Sequence, residues 1–365
     1  MTIPAFDPRT PVLPLRAEID EAVARVLDSG AFILGPEVAA FEEAFAASLG
    51  VKHVVGVANG TEAITIALRA MGIGPGDEVV VPSFTFFASA EAIPPTGATP
   101  VFCDVDPHTR CVTAETVKAA LTPKTKAVLV VHLFGNVAPV AEIEALGVPV
   151  LEDTAQATGA LGLREDGLLG AAGTLGKAGT FSFYPSKNLG GFGDGGAIVT
   201  DDDMVADQAR LLRLHGSRAK DTYLEVGYNS RLDAIQAAIL GVLLPHLPAW
   251  VAHRRAAAER YRHSALAGAV GLPQDGPGTV PAWNLWVVTH PDADRLAAGL
   301  QERGIEARAY YREPIHRQPA MAGWTPAVDL PATAQLAAQH LALPISAAIT
   351  DAQVDEVAAA VAELA

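Results

Sequence analysis

The sequence predicts an α/β protein with a mostly parallel sheet flanked by helices, in a large domain over residues 1–240 and a smaller α/β domain over 241–365. Three observations lead there. Short apolar, β-rich runs alternate with helix-period segments from residue 51 onward, the pattern of repeated βαβ units. A chain of 365 residues, 50% hydrophobic and 18% charged, is long enough for one large core and a second, smaller one. A long helical pattern over 231–262 contains Pro245 and Pro248, and a proline inside a helix kinks or splits it, so the domain change is placed there.

Taken in order, residues 1–20 are Pro-rich without a clear period and predict an extended arm leading to a helix over 18–27. Asp28-Ser-Gly30 ends that helix and Gly35-Pro36 opens the next, where Val38, Phe41, Ala44 and Phe45 recur at helical spacing. A strand over 53–57 precedes a helix over 61–71, with Ile64, Leu68 and Met71 on one side, and Gly72-Ile-Gly-Pro-Gly76 breaks it. Strands over 78–82, 99–104, 127–132 and 148–152 then alternate with helices over 87–93, 113–121 and 140–145. Strands over 180–183 and 197–200 follow, with a helix over 203–214. Beyond the split helix come a strand over 285–289, a helix over 293–303, a strand after Gly304 and an Ala-rich closing helix over 351–364.

Composition excludes some classes. A formal net charge of −15 argues against nucleic-acid or anionic-membrane binding, though a local cluster of donors can still hold an anionic ligand. Cys103 and Cys111 are too few for a multi-ligand zinc site and fit a reducing, cytoplasmic compartment; no metal is expected. The first residues have neither a basic nor an apolar signal region, and no run of about 18 apolar residues occurs, so no membrane segment is expected.

The chemistry centres on Phe181-Ser-Phe-Tyr-Pro-Ser-Lys187-Asn-Leu-Gly-Gly-Phe-Gly-Asp-Gly-Gly196. The chain has seven lysines against nineteen arginines, so solvated positive charge is mostly arginine and a lysine between aromatic and glycine runs stands apart. Desolvation favours the neutral amine, a nucleophile toward aldehydes. Lys187 is therefore read as the lysine that condenses with pyridoxal 5′-phosphate; the alternative is a surface lysine in a Gly-rich loop. In open α/β sheets ligands sit beyond the carboxyl ends of the strands, and other candidates lie there. Asn59-Gly60-Thr61 opens a helix and offers a phosphate site, or Thr61 is a plain N-cap. Asp153 ends an apolar strand and needs a positive partner, which a pyridinium nitrogen supplies, or it too is an N-cap. Ser182 stands where its hydroxyl can donate to a cofactor phosphate. Phenylalanines in Ser83-Phe-Thr-Phe86-Phe87 suit stacking on a ring or ordinary core. Tyr228-Asn-Ser-Arg-Leu-Asp233 opens the long helix as a polar or capping segment. Gly191-Phe-Gly193-Asp-Gly-Gly196 matches a dinucleotide fingerprint in letters only, since it precedes a strand.

Together these stretches resemble the DegT/StrS-type sugar aminotransferases, pyridoxal phosphate enzymes of the aspartate-aminotransferase fold (fold type I). The resemblance covers nearly the whole chain. It runs through Phe32-Ile-Leu-Gly35-Pro-Glu-Val, Ala58-Asn-Gly-Thr61-Glu-Ala, Gly74-Pro-Gly-Asp-Glu-Val79, Pro82-Ser-Phe-Thr-Phe86 and Pro100-Val-Phe-Cys-Asp-Val-Asp106. It continues in Glu152-Asp-Thr-Ala-Gln156, 181–196 and Tyr228-Asn-Ser-Arg-Leu-Asp-Ala-Ile-Gln236. It implies that Lys187 is the cofactor-bearing lysine and proton shuttle, that Asp153 pairs with the ring nitrogen, that Gln156 lies near the ring hydroxyl and that Phe86 stacks on the ring. It further implies that Gly60, Thr61 and Ser182 bind the phosphate, with Asn229 reaching it from the second subunit of a homodimer. Arg231, Tyr311 and His316 fall to the substrate or its diphosphate. The implied reaction moves an amino group from L-glutamate to a keto group of a nucleotide-linked sugar. Asn229-Ser230-Arg231 resembles the enzymes acting on 3-keto sugars; the 4-keto enzymes and a non-catalytic pyridoxal-phosphate regulator are the alternatives, with a nicotinamide-dependent oxidoreductase as the rival outside the family. Two departures stand out: Thr158, where the family more often has His or Cys, and a short segment over 139–147.

Overall fold

The computed structural model describes residues 2–219 and 221–365. Strands β1 (His53–Val57), β2 (Glu78–Pro82), β3 (Thr99–Cys103), β4 (Thr125–Val131) and β5 (Val150–Asp153) are followed by the hairpin β6 (Leu161–Leu163) and β7 (Leu169–Ala171), then by β8 (Ala178–Ser182) and β9 (Gly196–Thr200). The central sheet runs β1-β9-β8-β5-β4-β2-β3. Strands β3, β2, β4, β5 and β8 are parallel. Strand β9 is antiparallel to both of its neighbours, which leaves β1 pointing the same way as the other parallel strands. The sequence did not reveal that reversal. Its cause is the helix-free glycine-rich loop between β8 and β9, because only a long crossover returns a chain parallel.

Helices α1 (Arg16–Ser29) and α2 (Pro36–Leu49) cover one face of the sheet. Helix α3 (Gly60–Ala70) and the short α4 (Ala88–Glu91), α5 (Ala114–Ala120) and α6 (Val140–Glu144) belong to the crossovers, and α7 (Asp203–Leu212) returns beside α3. Alternation along each strand divides the core: Val54, Ala197 and Val199 join Phe41 and Phe45 of α2, while Val55, Val57 and Ile198 join Ile64 and Leu68 of α3. The expected long helix is two, α8 (Ala234–Leu243) and α9 (Leu247–Arg262), split by a 3-10 turn over Leu244–His246 at Pro245. Pro248 sits in the first turn of α9, where a missing N–H costs nothing. By length and composition this stretch is apolar enough to cross a bilayer, at a mean hydropathy of 1.6, but half of that window is buried within the protein, and α8 packs against α1 and α2 while α9 packs against α12 (Asp351–Leu364).

After two short strands, β10 (Ser217–Ala219) and β11 (Thr222–Tyr223), the C-terminal part pairs β12 (Trp286–Thr289) with β13 (His340–Leu343). Helices α10 (Ala293–Glu302) and α12 (Asp351–Leu364) pack on that pair, and α11 (Pro331–Gln339) leads into β13. The C-terminal core holds Tyr261, Trp286, Leu296, Leu341 and Val357, and Ile3 of the N-terminal arm belongs to it. Ile3 donates to Gly304 O at 2.8 Å and accepts from Glu306 N at 2.9 Å, so the arm packs with the C-terminal unit. The strand expected after Gly304 is only two isolated bridges, Ile3 to Ile305 and Arg308 to Ala342. Helix α11 and strand β13 went unforeseen for a physical reason: the cap of α11 comes from afar. Asp104 accepts the Ala332 and Thr333 N–H groups at 2.9 and 2.7 Å and the Thr333 hydroxyl at 2.7 Å.

Candidate active site

Because the sheet is parallel apart from β9, the ends of β1, β2, β5 and β8 open on one edge, and that edge gathers the polar candidates. Phe181 and Phe183 alternate with Ser182. Both rings pack edge-on against Phe45, at 5.1 and 5.5 Å, which turns Ser182 to the opposite side. There Gly60 lies so close that a Cβ on it would stand 2.8 Å from Ser182 Cβ. A Cβ on Gly196 would stand 2.5 Å from the carbonyl carbon of Asn59. Only glycine permits that approach. Helix α3 is capped by Asn59, whose side chain accepts the Glu62 N–H at 2.8 Å, and not by Thr61. Among the described residues the Thr61 hydroxyl makes no side-chain hydrogen bond and is available beside the helix N-terminus. Backbone N–H groups, two hydroxyls and a positive helix end form a cradle for a phosphate dianion.

Asp153 is 5% exposed. Its Oδ2 accepts the Ser89 hydroxyl at 2.7 Å and its Oδ1 accepts Ala155 N–H at 3.1 Å. Turns rather than a helix follow it, so the N-cap alternative does not apply. Lys187 keeps some accessible surface while its amine lies deep among protein atoms. Burial pushes its pKa below the ordinary lysine value, and the Asp153 charge opposes that shift. Among the described residues neither side chain has an ion-pair partner. A buried acid and a buried amine, both unpaired and each within reach of the other's field, fit a flat heteroaromatic aldehyde whose ring nitrogen is cationic.

The lysine loop is clamped on both sides by residues the sequence did not single out. Asn284 Nδ2 donates to Ser186 O at 3.1 Å and to Asn188 Oδ1 at 3.3 Å. Asn188 Nδ2 donates to Thr158 O and Ala282 O at 3.3 and 3.2 Å. Thr158 is thus in touch with the lysine loop through its carbonyl, while its hydroxyl is buried without a partner. Glu152 is the second unforeseen residue. Strand alternation turns it away from Asp153 into the core, where it accepts from His132 Nε2 at 2.8 Å and from the Gly173, Leu175 and Gly176 N–H groups at 2.7–2.8 Å. His132 Nδ1 accepts the Ala138 N–H, so its proton is on Nε2. The pair is a structural node joining β4, β5 and the loop before β8. An acid next to Asp153 was the one available signal, and it is ambiguous without the register.

The remaining candidates divide. Phe84 is buried with Phe134 and Tyr311, whereas Phe86 is 56% exposed, so the core alternative describes Phe84 and leaves Phe86 free to stack. Gln156 Oε1 accepts the Phe134 N–H at 2.7 Å and its Nε2 donates to Tyr311 Oη at 2.9 Å. Tyr311 is buried with its hydroxyl turned to Gln156. His316 Nδ1 stands 2.6 Å from Ser83 Oγ, which also accepts the His316 N–H at 3.3 Å. Burial pushes the His316 pKa down, so the ring is neutral near pH 7. Asn229 is exposed, and next to it Ser230 Oγ accepts the Ala58 N–H at 3.1 Å, seating this segment behind the α3 cradle; Arg231 is half-buried. The glycine run 191–196 leads into β9 and not into a helix. Among the described residues no group of three His, Cys, Asp or Glu side chains is placed to hold a metal.

Comparison with known proteins gives the family. Residues 14–362 match the model of the DegT/DnrJ/EryC1/StrS aminotransferase family. A dTDP-3-amino-3,4,6-trideoxy-alpha-D-glucose transaminase of Streptomyces venezuelae is 46% identical over 352 residues, 94% of this chain and 91% of that protein. A UDP-N-acetyl-3-dehydro-alpha-D-glucosamine 3-aminotransferase of Acidithiobacillus ferrooxidans is 41% identical, over 98% of this chain and 96% of that protein. The crystal structure of S. venezuelae DesV in complex with a ketimine intermediate superposes with a TM-score of 0.93 at 43% identity, over 99% of this chain and 98% of that one.

Proposed function

The chain belongs to the DegT/DnrJ/EryC1/StrS aminotransferase family, and on that premise we propose that it moves an amino group from L-glutamate to the 3-keto group of a nucleotide-linked sugar, with pyridoxal 5′-phosphate as cofactor. The observation that carries the reading is the buried, unpaired Lys187–Asp153 couple at the C-terminal edge of the sheet. The 3-keto position is supported by the two relatives named above, both of which act at the 3-position, and by Asn229-Ser230-Arg231.

In this reading Gly60, Thr61 and Ser182 hold the cofactor phosphate, Asp153 faces the ring nitrogen, Gln156 the ring hydroxyl and Phe86 the ring face. When bound, pyridoxal phosphate supplies an aldehyde for amines and a ring that takes up the electron pair released at carbon. Lys187, whose burial favours the neutral amine, takes the proton from the Cα of glutamate and later returns one to the sugar carbon that receives nitrogen. Ser89 and the Ala155 N–H hold the Asp153 carboxylate in place while the ring nitrogen carries positive charge. His316 and Arg231 serve the diphosphate, and Asn229 serves the phosphate of a second subunit. Exposed Phe32, Ile33, Phe192 and Tyr223 support a homodimer. Two buried free thiols, Cys103 and Cys111, support a cytoplasmic setting.

The test is a panel of UDP-, dTDP- and GDP-linked 3-keto and 4-keto sugars offered to the pyridoxamine form of the protein. Return of the cofactor's visible absorbance with a 3-keto sugar supports the assignment. Return with 4-keto sugars alone moves the reaction one carbon along, and no return with any of them removes the sugar assignment.

A further inference from the structure

We propose that Tyr311 is a positioning residue for Gln156: it holds in place the Nε2 end of an amide whose orientation the Phe134 N–H sets, and so the hydrogen bond that side chain offers to the cofactor ring. The inference rests on the pyridoxal phosphate reading above. The resemblance assigned Tyr311 to the substrate; its hydroxyl oxygen lies 2.9 Å from Gln156 Nε2.

The two ends of a carboxamide have nearly the same shape, and only their partners decide the orientation. Here one partner decides it. The Phe134 N–H can only donate, so it takes Oε1 at 2.7 Å. The Tyr311 hydroxyl, which can donate or accept, then meets the Nε2 end, accepts from it and holds it in place. One N–H of Gln156 then remains for the ring. Phe134 itself has φ 62, a left-handed conformation that costs a non-glycine residue on the order of 1–2 kcal/mol, and the fold keeps it there.

Tyr311 is held as firmly as Gln156. The Tyr310 and Tyr311 N–H groups both donate to His340 Nε2, at 3.0 and 3.1 Å. His340 Nδ1 lies 2.7 Å from Leu336 O and donates to it, which leaves Nε2 bare as the acceptor. Burial pushes His340 down to about 4, so it stays neutral at ordinary pH. The Tyr311 ring stacks on Phe134 at 5.8 Å with 8° between planes and meets Phe84 edge-on at 5.8 Å. Burial also pushes the Tyr311 pKa up, so its hydroxyl keeps its proton. Packing alone would be served by phenylalanine; the buried hydroxyl has Gln156 as its partner. Leu336, His340 and Tyr311 come from the C-terminal part, Phe134 and Gln156 from the sheet edge. The seating of the C-terminal segment is thereby passed to the cofactor ring.

The test is a double-substitution cycle with Tyr311→Phe, Gln156→Leu and both together, read first in the holoenzyme by the pH titration of the bound chromophore. Tyr311→Phe should shift that midpoint by about half a pH unit. In the Gln156→Leu background it should shift it no further, with KM for the keto sugar unchanged. A midpoint that stays put, a shift kept in full without Gln156, or an effect confined to KM would overturn the proposal. Wild-type protein that takes up no pyridoxal phosphate would instead sink the cofactor reading. The same cycle on the thermal midpoints of the apo protein then decides: coupled losses support the Tyr311–Gln156 contact, and additive losses reject it.

Discussion

The charge of Asp153 works against the burial that drives the Lys187 amine toward its neutral form. The two are close enough for that field to be felt, yet no ion pair joins them among the described residues. An ion pair would cancel the acid and the amine. Both stay unpaired, and the rates and stabilities below depend on it.

Uptake of pyridoxal phosphate by the apo protein follows the neutral fraction of Lys187. The pKa is lowered, so the midpoint of the rate–pH profile falls below 10.5, the ordinary lysine value. Asp153→Asn removes the charge that raises it, and the midpoint moves lower still. The sign carries over to stability. Between the folded and unfolded pKa values the unfolded chain binds the extra proton, so apo stability rises with pH across that window, and Lys187→Met flattens the slope. Stopped-flow absorbance and pH-dependent thermal melts measure both.

Asp153→Asn in the holoenzyme should keep the cofactor and lose about 100-fold or more in the rate of the glutamate half-reaction, because the ring nitrogen loses its counter-charge. Single-turnover absorbance reads the rate, and a spin-column assay reads retention. An unchanged rate removes Asp153 from the mechanism.

Gly60→Ala places a methyl group 2.8 Å from Ser182 Cβ, so the cradle must open. Affinity for pyridoxal phosphate should fall about tenfold, or ~1.4 kcal/mol. Gly241→Ala is the control: it sits within α8 with open space around it and should stabilise by up to ~1 kcal/mol through helix propensity. Equilibrium titration and denaturant melts compare them.

Phe45→Ala should cost about 3–5 kcal/mol, since Phe45 is fully buried between Phe41, Phe181 and Phe183. The same rings turn Ser182 toward Gly60, so cofactor affinity should fall with stability. Loss of stability with affinity intact would separate the aromatic cluster from the site.

Much of this was legible in the residues. The strand over 53–57, the strand over 78–82 and the closing helix were read correctly because their signals are local: short apolar, β-rich runs and an Ala-rich stretch of helix formers. That Lys187 and Asp153 are buried was legible because each stands in or beside an apolar run, which is a local signal. The reversal of β9, the Asp104 cap of α11, the Asn284 clamp and the Glu152–His132 node were not, since each depends on a partner brought close only by the finished fold. Thr61 shows the limit at a single position. Its type suits a cap, but the chain enters α3 one residue earlier and Asn59 takes that role. Tyr311 shows it again: its neighbours in sequence resemble a substrate segment, and its hydroxyl faces Gln156.

Lys187→Ala compared with wild type, each mixed with pyridoxal phosphate and then with L-glutamate, tests the central claim most directly. Wild-type protein should show a visible absorbance band that collapses on adding glutamate, and Lys187→Ala should show neither the band nor 2-oxoglutarate. A band of equal position and strength in Lys187→Ala, or turnover without that amine, would contradict the account.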